Sequence, residues 1–277
     1  MASAKRDGAA PEEVRDLRSA IEWMKKEGDI IVTDKEVDPN LELTGIQKQL
    51  DGGCPILFNN VKGKPQHRCI TNLFGDMNVI NKMFGWKNHA DRTRKLAYAI
   101  THPIPPIVVD QKDAPVQEEV YEKPAEANDY VVPIRHTNVE PELTVGSGNR
   151  LISGEYFNGG TDLGYNRMNF RWGIVGTFQI SPGSHMWQVA SKYYKDNKMV
   201  PITMNFGLPV AGSLLAGAGF DYVILPQGCD EVGIAGAVQG APMRLVKART
   251  VDAYALADAE VILEGYVNPR DRRFETA

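Results

Sequence analysis

The chain is poor in features that mark several protein classes. Only three cysteines, Cys54, Cys69 and Cys229, occur among 277 residues. Their odd number and the lack of a CxxC spacing argue against a disulfide framework or a zinc ribbon, and point to reduced thiols in a cytoplasmic protein. No stretch approaches the roughly eighteen apolar residues of a membrane-spanning helix. The first eight residues have no apolar core and do not read as a secretion signal. Positive charge is not in surplus: 31 Lys and Arg stand against 35 Asp and Glu, a net charge of −4, so neither nucleic acid nor an anionic membrane is an expected partner. Gly217 and Gly219 do not follow a strand in the GxGxxG form of a dinucleotide site. Gly146-Ser147-Gly148 has the wrong spacing for a nucleophile elbow.

What remains is the composition of a folded globular protein, 43% hydrophobic and 24% charged, long enough for one large domain or two ordinary ones. Val14, Leu17, Ile21 and Met24 recur at helical spacing and predict a helix over 12–27, between Pro11 and Gly28. A strand at 30–32, a helix at 41–50, short strands at 55–58 and 68–70, and helices at 76–84 and 90–100 complete an N-terminal α/β domain, residues 1–115. Prolines at 103, 105, 106, 115, 124 and 133 then stiffen the chain and remove backbone donors, as in linker or edge structure. The second domain, 116–277, reads as α+β. It has consecutive antiparallel strands at 150–157, 165–172 and 174–180 and a helix at 184–197. A strand at 201–206, a helix after Pro209, a helix at 230–239 and strands at 243–247 and 259–267 follow.

Three residues of this second domain could share a cation. Asn166 offers an amide oxygen, His185 a ring nitrogen and Glu231 a carboxylate, a mostly hard set suited to Mn²⁺ or Mg²⁺ bridging to a phosphate. On the residues alone a plainer reading stands beside it. His185 is then a half-buried hydrogen-bonded residue, Asn166 a turn residue, and Glu231 an exposed charge at a helix N-terminus, where the dipole favours it. Strand alternation puts Asn169 and Arg171 on one face and Phe170 and Trp172 on the other. An arginine facing inward needs an anion, either a substrate carboxylate held bidentately or a structural Asp or Glu. The glycine-rich run around Ala216, Gly217 and Ala218 allows backbone to approach a ligand closely.

These segments together resemble the UbiD-type decarboxylases. The resemblance runs through Asp16-Leu17-Arg18, residues 58–63, the region from Asn166 to His185, residues 205–209, Glu231 to Gly240 and residues 259–265. It is nearest to the branch acting on hydroxylated aromatic acids or phenyl phosphates. It implies a flavin-binding, split-β-barrel-like second domain and reversible decarboxylation of an aromatic acid with prenylated FMN. The cofactor would accept the electrons released as CO₂ leaves. Matched by position, Asn166, His185 and Glu231 are the ligands of a Mn²⁺ ion with a nearby K⁺, and Arg171 is the catalytic arginine. Asn169, Ser184, Ala216, Gly217 and Ala218 fall where the flavin is wrapped. A flavin prenyltransferase is the implied source of the cofactor, and a homo-oligomer or a larger complex the implied assembly. In the family two glutamates after the Leu263-Glu264-Gly265 strand complete the site; Glu275 is the candidate here. The C-terminal oligomerisation domain of the family is expected to be absent, through truncation. The alternative is a non-catalytic flavin-binding subunit of a carboxylase.

Overall fold

The computed structural model describes residues 8–138, 145–153, 161–218 and 230–271, of which 145–153 are described by their backbone alone. The expected first helix is shortened. Residues 11–13 form a 3₁₀ turn, and α1 runs Leu17–Glu27 because the Asp16 side chain caps it by accepting from Ser19 N at 2.8 Å. There follow β1 (Ile31–Thr33), α2 (Glu42–Gln49), β2 (Ile56–Phe58), β3 (Cys69–Thr71), α3 (Met77–Met83) and α4 (His89–Thr101). β1 and β2 pair in parallel, and β3 joins β2 antiparallel. The apolar faces of α1 and α3 close over Leu57 in one core, which also takes in Val210 from the second half of the chain.

Beyond the prolines lies β4 (Ile107–Val109), which pairs in parallel with β9 (Arg244–Lys247); β9 in turn pairs with β10 (Tyr254–Leu256). The main sheet contains β5 (Val145–Ser153), β6 (Thr161–Trp172), β7 (Val175–Phe178), β8 (Val200–Phe206) and β11 (Val261–Val267) in the order β11-β8-β5-β6-β7, antiparallel throughout. It is an open sheet, with β11 and β7 as its edges. The helices α5 (His185–Lys195), α6 (Val210–Ala216) and α7 (Glu231–Gln239) pack on it. α5 covers one face, where Met186, Val189 and Tyr193 meet Met168, Ile202 and Met204. α6 and α7 cover the other, where Leu215, Val232 and Ile234 meet Leu163 of β6, with Leu245 of β9 in the same core.

Two glycines mark close approaches. A Cβ on Gly236 of α7 would stand 2.8 Å from the Ile104 carbonyl oxygen, so this position lets the helix press against the segment after α4. Ile104 N donates to Gly233 O at 3.0 Å in the same contact. A Cβ on Gly176 would stand 2.2 Å from the Asn169 carbonyl oxygen. Opposite it, three steps along β6 from Asn169 to Trp172 match two along β7 from Thr177 to Val175, an extra residue in β6.

Candidate active site

β6 carries most of the site. Asp162, 3% exposed, lies with its Oδ1 2.9 Å from His185 Nδ1 and accepts its N–H. His185 opens α5, whose cap is Ser184: its Oγ accepts from Trp187 N at 3.2 Å and donates to Ser181 O at 2.7 Å. Glu231 opens α7 and is 4% exposed. The helix is capped by Asp230, whose Oδ1 accepts from Val232 N and Gly233 N, both at 3.1 Å. The other oxygen of Asp230 accepts from Thr161 N at 2.7 Å and Thr161 Oγ1 at 2.6 Å, which ties α7 to the first residue of β6.

One ligand atom from each of Asp162, His185 and Glu231 lies within 4.8 Å of the others. β7 accompanies β6 only from Met168 onward, so this cluster sits where that edge of β6 is uncovered by β7. His185 reaches it from the α5 side and Glu231 from the α7 side. Burial, and after it the nearby charges of Asp162 and Asp230, push the Glu231 carboxyl up to about 7. Glu231 Oε2 has a distant donor in Leu163 N, at 3.4 Å. Two crowded, buried carboxylates beside an imidazole fit a divalent cation: its charge would relieve their repulsion, and the oxygen-rich donor set favours Mn²⁺ or Mg²⁺.

The structure thus joins His185 and Glu231, two of the three expected ligands, with Asp162, which the sequence did not single out. Its one signal was an acidic residue within an otherwise strand-like run, where Asp is depleted. Glu231 is no exposed helix-end charge. Asn166 lies four residues along β6 and donates from Nδ2 to Gln179 O at 2.7 Å. Arg171 falls within the extra-residue step of β6, so the simple alternation expected through Trp172 is interrupted beside it. Asn169 is 1% exposed, and neither its Oδ1 nor its Nδ2 has a hydrogen-bond partner. Ala216 ends α6, and Gly217 follows against Tyr165 of β6, whose hydroxyl donates to Ser213 O at 2.9 Å; Ala218 comes next in the chain. Glu275 and Cys229 lie outside the described residues. Cys54 and Cys69 are free thiols, and burial pushes the latter up to about 12. No described helix is long and apolar enough to cross a membrane.

Comparison with known proteins accords with this arrangement. Residues 107–277 match the 3-octaprenyl-4-hydroxybenzoate carboxy-lyase Rift-related domain, and residues 21–100 its N-terminal domain. Gallate decarboxylase of Lactiplantibacillus plantarum is 32% identical over 93% of the chain and 55% of its own length. Among solved structures, an evolved dimeric form of the UbiD-class enzyme HmfF from Pelotomaculum thermopropionicum, in complex with prFMN, superposes with a TM-score of 0.81 at 27% identity, over 91% of this chain and 57% of that one. Klebsiella pneumoniae 3,4-dihydroxybenzoic acid decarboxylase (AroY) superposes equally well, with a TM-score of 0.81 at 26% identity, over 91% and 54%. The chain spans about half the length of the curated relatives it matches. By the family domains that cover most of its residues, the chain belongs to the UbiD family of carboxy-lyases.

Proposed function

We propose that the chain carries the cofactor-binding part of a prenylated-FMN-dependent enzyme that decarboxylates, reversibly, a hydroxylated aromatic acid. The observation that carries this reading is the Asp162–His185–Glu231 cluster beside the strand that also bears Arg171. Such a donor set can hold a cation, and through it a phosphate-bearing cofactor. The kinship with gallate and 3,4-dihydroxybenzoic acid decarboxylases supports the substrate class.

In this reading His185 and Glu231, with Asp162 or Asn166 completing the set, hold Mn²⁺, with K⁺ nearby. Asp230 fixes Glu231 by capping α7. Ser184 and the backbone of Ala216, Gly217 and Ala218 wrap the flavin. When bound, prenylated FMN supplies an electron sink for decarboxylation. Arg171 grips the substrate carboxylate, a planar anion that matches its fork of donors. Glu275 is the candidate for returning a proton to the ring carbon. Supply of the cofactor calls for a flavin prenyltransferase. Trp172, Trp187, Tyr194 and Tyr266, each exposed by about half along one broad groove, support assembly into an oligomer or a larger complex.

The test is native mass spectrometry of the protein co-expressed with a flavin prenyltransferase, together with CO₂ release by the complete enzyme from hydroxybenzoic acids. Bound prenylated FMN with a divalent ion is the expected result, and Arg171→Ala should lower turnover at least tenfold. A protein that retains no flavin, or whose flavin NADH bleaches, overturns the reading.

A further inference from the structure

Past Asn169 the backbone of β6 leaves its ladder. Among the described residues, β5 pairs with β6 only as far as Asn169, which stands opposite Val145. On the other side the register with β7 steps from Asn169 straight to Trp172, across the extra residue of β6. Regular pairing therefore does not run through Phe170 and Arg171, and their backbone groups must be satisfied from elsewhere. The proline-rich connector supplies two donors, both from its 3₁₀ turn Ala127–Asp129. Asn128 Nδ2 donates to Phe170 O at 3.2 Å, and Ala127 N donates to Gly173 O at 3.2 Å. One bond falls just before Arg171 and the other just after Trp172.

The connector fits this strand end closely. Gly173 has a φ of 65°, and a Cβ on it would stand 2.8 Å from the Ala125 carbonyl oxygen. A glycine there allows both the turn and the close approach. Asn128 is held in its turn by the N-terminal domain. Lys64 Nζ donates to Asn128 O, and it lies 3.9 Å from the Asp129 carboxylate. Lys64 is half-buried and sits in a tight turn, where its N donates to Val61 O at 2.9 Å. A chain of contacts thus runs from the 61–64 turn of the first domain, through Asn128, to the end of β6 that carries Arg171.

Resting on the role given to Arg171 above, we propose that Asn128 is a positioning residue for that arginine, with Lys64 as its support. A guanidinium binds a carboxylate through two parallel bonds only when its fork is aimed at the anion. The aim is set by the backbone that bears it, and a shift of about 1 Å there is enough to spoil a reacting geometry. The Phe170 carbonyl is one bond from the Arg171 nitrogen, so fixing that oxygen fixes the peptide plane from which the arginine departs. Asn128 acts through Arg171 and needs no contact with the substrate.

The experiment is a double-mutant cycle on the complete enzyme. It measures binding of 3,4-dihydroxybenzoate by isothermal titration, with FMN and Mn²⁺ present. Arg171→Ala should weaken binding of the acid about tenfold or more. Asn128→Ala should weaken it about three- to tenfold, as expected for one lost hydrogen bond. In the Arg171→Ala background, Asn128→Ala should cause no further loss. Asn128→Asp keeps the shape but lacks the donor, and should behave as Asn128→Ala does. Lys64→Met keeps the apolar stem and should weaken binding in the same direction by less. FMN affinity should be unchanged throughout. Wild-type affinity for the acid in both Asn128 variants, an equal loss in the two backgrounds, or a parallel fall in FMN affinity overturns this inference and leaves the role of Arg171 standing. Should the Asn128 variants not fold, Lys64→Met decides, and wild-type affinity in it overturns the inference. Arg171→Ala that binds the acid as the wild type does overturns both.

Discussion

His185 Nδ1 lies 2.9 Å from Asp162 Oδ1, a contact between the first residue of a helix and a residue buried in the neighbouring sheet. A carboxylate at that distance holds the ring proton on Nδ1 and leaves Nε2 unprotonated, the atom that would bind a cation in the reading proposed above. An imidazole oriented in this way is less free to rotate than one without such a partner.

Replacing the carboxylate tests that role. Asp162→Asn keeps the shape of the side chain and removes its charge. Mn²⁺ affinity should fall about 10- to 100-fold, the usual effect of losing a group that orients or joins a ligand set. Titration of free Mn²⁺ by electron paramagnetic resonance measures it. Unchanged affinity would show that the contact belongs to folding alone.

Glu231 makes stability depend on pH in an unusual direction for a carboxylate. Its folded-state value, about 7, lies above the ordinary 4.5, so the folded protein binds the proton more tightly than the unfolded chain does. Its contribution is therefore full below about 4.5 and is lost as pH rises through about 7. With a chelator present, the loss should be on the order of 3 kcal/mol across that window. Urea midpoints at pH 5 and pH 8 report it. Glu231→Gln should flatten the dependence, and Mn²⁺ should restore the stability of the wild type at pH 8. A wild-type midpoint that rises with pH in chelator contradicts this assignment.

Asp230 serves helix and strand together. Asp230→Ala removes the cap from Val232 N and Gly233 N and leaves Thr161 without its acceptor. A loss of about 2 kcal/mol is expected, with weaker Mn²⁺ binding because Glu231 is the next residue. Asp230→Asn keeps an oxygen for the cap but puts an amide donor where Thr161 N needs an acceptor. Its melting temperature should fall between those of Asp230→Ala and the wild type. If the two variants melt together, the cap contributes little; if Asp230→Asn melts like the wild type, the bond to Thr161 contributes little.

The longer elements were legible because their signals are local. Val14 to Met24 repeat at helical spacing, and α1, α4, α5 and α7 appear within a few residues of the expected spans. Strands at the places of β6, β7, β8 and β11 in the five-stranded main sheet were likewise foreseen, and the one expected at 150–157 overlaps β5. β4 and β10 were not; each exists through its pairing with β9. At the site, His185 and Glu231 could be picked out by residue type and position in recognisable segments. Asp162 could not, because its importance lies in a partner 23 residues away.

The sequence by itself determined the class of fold and the family, and it singled out candidate site residues, since periodicity, turn residues and ordered motifs are written along the chain. Only the tertiary structure decided what each group experiences. It buried Glu231 and crowded it with Asp162 and Asp230, and it set His185 against Asp162. It also set Asn128 of the connector against the strand end that carries Arg171. Burial, electrostatic field and hydrogen-bond satisfaction depend on which distant segments meet, and no local pattern carries that.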